Sequence, residues 1–350
     1  MTTSTPSSET YRPLIALAMG DPAGISPELT ARLAADNAVN TAARLVIIGD
    51  RRLFDEGART AGLSPELGTT TLEALKDNAP EQAAFIDLGH LSPDDIERGV
   101  PSLEGGTFCS RNFNEALTLA SEGNVEAVCF TPFNKQAMRY ANPDYDDEIR
   151  FVARAIGFSG KAREFNILDN IWNARVTSHI PLSQVASSLN EEAILEEITL
   201  TLQCLEQAGI ETPRIAVAGL NPHAGDGGNF GQEEIDIIAP AVARARDNGW
   251  QVEGPFPADT VFLRAPREGY HAVLTMYHDQ GQIAMKLMGF DSGVTMLGGF
   301  PFPVCTPAHG TAYDIAGRGI ADIGASRQAL LLAAKMATRA RNARSLVTHA

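Results

Sequence analysis

Short apolar runs recur along the chain, each followed by a longer stretch in which apolar residues return at helical spacing. "PLIALAMG" precedes "PELTARLAAD", "RLVIIGD" precedes "RRLFDEGARTAG", and "EAVCFTP" precedes "NKQAMRYA". The order continues in "NARVTSH" then "PLSQVASSL", "RIAVAGLN" then "EEIDIIAPAVARARDNG", and "HAVLTMYH" then "GQIAMKLMG". Short continuous apolar runs bounded by turn residues are what strands buried on both faces require, and the intervening amphipathic stretches are what covers them. The pattern predicts an α/β fold: a largely parallel sheet with helices on both faces. No tandem repeat or low-complexity linker interrupts it.

In open sheets of this kind ligands sit beyond the carboxyl ends of the strands. The residues just past the apolar runs are therefore the first candidates for chemistry: Asp21, Lys135, His179, His223 and His278. Three of the chain's seven histidines fall in this class.

Bulk properties narrow the partners. The 350 residues suffice for two domains or one large α/β unit. With 43 acidic against 28 basic side chains the net charge is −15, which opposes nucleic acid and anionic membrane as partners. Cys109, Cys129, Cys204 and Cys305 are widely spaced and form no C-x-x-C pair, so they are expected as reduced thiols of a cytoplasmic protein. No stretch of about 18 apolar residues is present, "MTTSTPSSETYRP" lacks the marks of a signal peptide, and residues 1–11 are expected to form a flexible tail.

Taken singly, His179, His223 and His278 are each explained as hydrogen-bonded structural histidines. Taken together at one sheet edge, with Asp279 beside His278 and glycines around His223 in "AGLNPHAGDGGNFGQEE", they suit a Zn, Co or Ni site with positions open to substrate. Spacing leaves both readings open. His90, His271 and His349 have no chemical neighbourhood, while His309 opens "HGTAYDIAGRGIAD". Glycines there let backbone approach a ligand, and a following helix can present N–H groups to an anion, although a plain tight turn has the same composition.

With these segments in place, the chain resembles the 4-hydroxythreonine-4-phosphate dehydrogenase family, whose fold is that of the isocitrate and isopropylmalate dehydrogenases. The resemblance runs from "MGDPAGISPE" through "TPFNK", "SHIPL", "GLNPHAGDGG", "GPFPADTVF" and "MYHDQGQIAMKL" to "HGTAYDIAGRG". It implies two α/β/α domains around a cleft: residues 12–132 with 303–350, and residues 133–302 carrying metal ligands and a homodimer interface. It implies His179, His223 and His278 as ligands of one divalent ion (Zn, Co, Ni, Mn or Mg), with one supplied across the interface. NAD is implied at His309, Gly310, Thr311, Ala312, Asp314 and Asn221. Lys286 falls on the substrate-binding lysine, and Asp259 and Asp279 are candidates for moving a proton or orienting the imidazoles. The implied reaction oxidises a secondary alcohol beside a carboxylate, after which the keto acid can lose carbon dioxide.

The chain also departs from the family pattern. Where a G-H-T-E segment is usual it reads "NPDYDDEIRF", placing Glu148 and Ile149 at the phosphate-side His and Thr. Thr295 stands where Asn is usual and Val304 where Arg is usual. Losing these donors and gaining a carboxylate costs a bound dianion several kcal/mol, at about 1.5–3 kcal/mol per charged hydrogen bond, with Arg150 available to compensate in part. The resemblance therefore implies a small hydroxy-acid substrate and turns the expectation away from the phosphorylated threonine. Alternatives are 4-hydroxythreonine-4-phosphate dehydrogenase proper, terephthalate cis-dihydrodiol dehydrogenase and, from another class, a phosphate acyltransferase-like enzyme. Ser26, where glycine is usual, is expected to act as a helix cap.

Overall fold

The first apolar run forms a fully buried strand, Leu14–Ala18 (β1), and the others follow it into one sheet. In chain order the further strands are Arg44–Gly49 (β2), Gly68–Thr70 (β3), Ala84–Asp87 (β4), Ala127–Phe130 (β5), Arg163–Leu168 (β6), Ile171–Arg175 (β7), Arg214–Ala218 (β8), Gln251–Phe256 (β9), Ala272–Thr275 (β10), Val294–Gly298 (β11) and Val304–Pro307 (β12). The computed structural model describes residues 11–168, 171–289 and 292–348. Among them the sheet order is β3-β4-β2-β1-β5-β12-β11-β6-β7-β10-β8-β9.

Eight of the pairings are parallel, as the alternation of strands and helices requires. The centre differs: β12–β11, β11–β6 and β6–β7 are antiparallel. Three reversals is an odd number, so β7 to β10 run opposite to β1, β2 and β5. Strands from Leu14 to Phe130 plus β12 make one half of the sheet, and strands from Arg163 to Gly298 make the other.

Several helices start or stop for a local reason. Asp50 caps helix Arg51–Ala61 by accepting from the Arg52 N–H at 3.0 Å, and Gly62 ends it at φ 67°. Asn134 caps Lys135–Ala141 through its side-chain oxygen, and Asp147 caps Glu148–Ala155 in the same way. Ser26 does not act as a cap: it is already the first helical residue, and its buried hydroxyl donates to the Pro132 carbonyl at 3.0 Å, tying the loop after β1 to the loop after β5. The run "NARVTSH" leaves the ladder at Arg175, so His179 stands in the following loop.

Four free cysteines are buried, and burial pushes their thiols up, Cys204 to about 12, which makes them packing residues. No helix among the described residues is long and apolar enough to cross a membrane. Residues 1–10 of the expected tail and His349 lie outside the described residues. Tyr11 is no part of a tail: its hydroxyl donates to Glu126 and the Arg341 guanidinium lies 3.8 Å above its ring.

The C-terminal helix Gly324–Thr348 packs on β12, β5 and β11 and is fastened to the N-terminal segment by Arg327, 2.6 Å from Asp36. Asp36 also caps helix Asn37–Ala42. Partial burial alone would raise the Asp36 carboxyl, but the Arg327 guanidinium and the helix N–H groups outweigh it and hold the carboxyl below its usual value. A depressed carboxylate contributes stability above its unfolded pKa and loses it as pH falls through the folded one. Asp36→Ala is therefore expected to lower stability at neutral pH by about 1–3 kcal/mol. In urea titrations the gap from wild type should narrow once pH drops below about 4.

Candidate functional site

The parallel group β7, β10 and β8 delivers His179, His278 and His223 beyond one set of carboxyl ends. Two of the three meet. The rings of His179 and His278 lie 5.6 Å apart between centroids, tilted by 43°. His278 is the first residue of helix His278–Leu287, and its Nδ1 is 2.7 Å from the Asp279 carboxylate, which leaves Nε2 as the free ring nitrogen. Across from it, Asp147 approaches His179 Nδ1 at 3.9 Å, so the divergent segment "NPDYDDEIRF" reaches the same place.

His223 does not join the pair. Its ring neighbours Phe230 at 6.1 Å, and among the described residues no three His, Cys, Asp or Glu side chains lie close enough together to hold a metal ion. The expected convergence of three imidazoles is therefore not completed within one chain, because the loop after β8 turns on itself. Pro222 to Gly228 form a tight coil in which His223, Ala224, Gly225, Asp226 and Gly227 all have left-handed backbone, with φ from 44° to 80°. His179 is left-handed as well, at φ 54°.

Left-handed backbone costs a residue with a β-carbon roughly 1–2 kcal/mol, so His223, Ala224 and Asp226 together store about 3–6 kcal/mol. The offsetting contacts converge on Glu234, a carboxylate only 3% exposed that lay unread in the quoted "NFGQEE". It accepts from the Leu220 and Asn221 backbone N–H groups, both at 2.7 Å, and from the Asn221 amide at 2.9 Å. Three charge-assisted bonds at about 1.5–3 kcal/mol each are of the size needed. A β-carbon on Gly225 would come within 2.8 Å of Glu234 Oε2, so glycine there is a matter of room as well as of φ. The Asn221 amide also donates to Glu233 at 2.6 Å, so both of its N–H bonds end on carboxylates.

The loop from His309 to Asp314 gathers beside the loop after β1. The Ile25 N–H donates to the Thr311 carbonyl at 3.0 Å, and the Tyr313 hydroxyl donates to Asp21 at 2.6 Å. Burial raises the Asp21 carboxyl, and its bonds from Tyr313 and the Ala23 N–H only partly counter this. Ala312 is left-handed at φ 44°, Gly310 faces open space, and His309 Nδ1 is 3.0 Å from the Gly310 carbonyl. Asp314 is exposed at the rim.

The substrate-side candidates divide. Lys286 stands exposed in the last turn of the helix begun by His278. Asp259 is exposed in the first turn of helix Ala258–Glu268. Thr295 on β11 accepts from Asn166 at 3.4 Å, and Val304 is fully buried in β12, where an arginine would have no room. Glu148 accepts from the buried Tyr145 hydroxyl at 2.8 Å, and Arg150 is exposed and paired with Asp146.

Beneath them, Arg175 and Glu164 form a 2.8 Å ion pair. Burial would raise Glu164, but Arg175, Asn166 and Lys135 together hold it below the usual carboxylate range. Of the remaining histidines, His271 accepts from the Arg214 N–H at 3.1 Å and His90 stacks on Phe108 at 4.9 Å, both in structural settings.

Comparison with known proteins agrees with this arrangement. The family model described as pyridoxal phosphate biosynthetic protein PdxA matches residues 41–333. A Rhizobium meliloti (strain 1021) protein provisionally named 4-hydroxythreonine-4-phosphate dehydrogenase 2 is 66% identical over 94% of this chain and 95% of its own. The D-threonate 4-phosphate dehydrogenase of Cupriavidus necator is 36% identical over 94% of this chain and 98% of its own. The crystal structure of 4-hydroxythreonine-4-phosphate dehydrogenase from Klebsiella pneumoniae superposes with a TM-score of 0.78 at 35% identity, covering 94% of this chain and 99% of that one. The chain belongs to the PdxA family and is an NAD-dependent dehydrogenase of that family.

Proposed function

We propose that the protein oxidises the secondary alcohol of a small hydroxy acid by hydride transfer to NAD, assisted by a divalent metal ion, and that the resulting keto acid then loses carbon dioxide. The observation that carries this reading is the facing pair His179 and His278, with Asp279 fixing the ring orientation of His278. Imidazole nitrogens of this kind suit Zn, Co or Ni better than the oxygen-seeking Mg or Mn. An ion held by His179, His223 and His278 would lower the pKa of the substrate hydroxyl and stabilise negative charge on that oxygen as NAD accepts the hydride. Lys286, about two turns along the helix from His278, would bind the substrate carboxylate in this reading. Since Asp279 is occupied with His278, Asp259 is left as the carboxylate to accept the hydroxyl proton. The Tyr313–Asp21 bond anchors the His309–Asp314 loop as the NAD-binding element, in the half of the sheet we assign to residues 12–132 with 303–350.

A second copy of the chain completes the metal site in this reading. Two features support it: no metal-holding trio among the described residues of one chain, and exposed apolar side chains Ile283, Leu287 and Met288 on or beside the helix that carries His278 and Lys286. Leu287 is 83% exposed, which a lone soluble chain does not favour. The four buried free thiols support a cytoplasmic setting.

The names of the relatives make 4-hydroxythreonine 4-phosphate and threonate 4-phosphate the first substrates to test. A non-phosphorylated hydroxy acid, such as a carboxylated cis-dihydrodiol, is the second reading. It is favoured by the carboxylates of Asp146, Asp147 and Glu148, which would repel a dianion near His179.

Three outcomes are expected. Chelation or His223→Ala should reduce NADH formation at least about a hundredfold, a loss typical of a removed electrostatic stabiliser; full activity after exhaustive chelation would remove the metal from the mechanism. Across a panel of phosphorylated and unphosphorylated acids, the double substitution Glu148→His with Ile149→Thr should raise kcat/KM for the phosphorylated members by about tenfold or more, as new charged donors would. Leu287→Asp should convert dimer to monomer in sedimentation velocity and abolish turnover along with it.

A further inference from the structure

The left-handed coil that carries His223 is closed by a carboxylate that touches neither the histidine nor any position expected to meet substrate. Glu234 lies in a one-turn π-helical segment, Glu234–Ile238, on the far side of the loop, and its two oxygens reach back under Gly219 and Gly225. Oε1 takes the Leu220 and Asn221 N–H groups and Oε2 takes the Asn221 amide. These three groups belong to Leu220 and Asn221, the two residues immediately before the coil begins, so the carboxylate fixes the direction in which the chain enters it. Further bonds hold the coil downstream: the Ala224 N–H to Asn221 at 3.1 Å, the Asn229 N–H to Asp226 at 3.3 Å, the Phe230 N–H to Gly225 at 3.2 Å, and the Gln232 amide to the Gly228 carbonyl at 3.2 Å.

We infer that Glu234 is the positioning residue of the metal site: it holds the Leu220–Gly225 backbone so that His223 is presented to a divalent ion. The inference rests on the reading of His223 as a ligand. It assigns Glu234 a part in metal affinity, separate from any share in global stability. The geometry explains why a buried carboxylate is used. Two N–H groups and an amide converge on one point, and an anion accepts all three where a neutral side chain cannot. A π-helical turn at the start of helix Ala239–Asp247 aims Glu234 inward.

The test uses the full-length protein with Co²⁺ alone, read by its visible absorption and by competition with a chromogenic chelator. Glu234→Ala should weaken Co²⁺ binding by roughly ten- to a hundredfold, the range for groups that orient ligands, and change the absorption bands. Glu234→Gln keeps an acceptor at Oε1 but sets its amide against that of Asn221, so an intermediate loss is expected; this variant also decides the matter if the alanine form does not fold. Ile198→Ala, a core truncation in helix Glu191–Gln207, serves as the control for lost stability and should bind Co²⁺ as wild type does. Wild-type affinity and spectrum in Glu234→Gln, or an equal loss in Ile198→Ala, overturns the inference while the metal reading stands. Absence of Co²⁺ binding by wild type, or binding indifferent to His223→Ala, overturns the metal reading and this inference with it.

Discussion

Strand β11 sets the terms for everything else in the molecule. It runs antiparallel to both of its neighbours, β6 and β12, and with the β6–β7 pair it makes three reversals between the two halves of the sheet. Parallel strands on either side therefore point in opposite senses, and their carboxyl ends do not form one continuous rim. The loops after β1 and β12 gather at one set of ends, where Tyr313 meets Asp21, while His179 and His278 gather at the other. The chain from Thr131 to Asp147 connects the two sets: it leaves β5, and by Asp147 it stands beside His179. Lys135 on the same stretch adds its charge to the field that keeps Glu164 ionised.

Around that frame, strain and charge are balanced locally. Among the described residues, left-handed backbone at non-glycine positions is confined to His179, His223, Ala224, Asp226 and Ala312, all within the segments that carry the candidate chemistry. Such conformations persist where surrounding contacts over-determine them. At the His223 loop the contacts come from Glu234; at Ala312 they come from the Tyr313–Asp21 bond and the Thr311 carbonyl.

The segment "NPDYDDEIRF" differs from the family pattern and reaches His179 through Asp147. Glu148 and Arg150 both have partners inside their own segment, Tyr145 and Asp146. The segment remains acidic, with Asp144, Asp146, Asp147 and Glu148 against Arg150, and Val304 is buried in β12. The imidazole pair and the His309 loop are untouched by these exchanges.

Residue order along the chain was enough to define the α/β alternation, the strand-end positions of the three histidines and membership of the dehydrogenase family, because burial on both faces and loop chemistry leave local marks. It did not disclose the central reversals, since a short apolar run reads the same in a parallel or an antiparallel ladder. Glu234 was passed over as one acid in an acidic sequence, since its burial depends on a loop folding back across more than ten residues. Ser26 likewise looked like a cap until the loop after β5 was brought to its hydroxyl. Tertiary structure decided which side chains share a space: two histidines face each other, the third stands apart on a strained coil, and Arg150 is already paired. Those outcomes depend on contacts between residues distant in sequence, and pattern or composition carries no record of them.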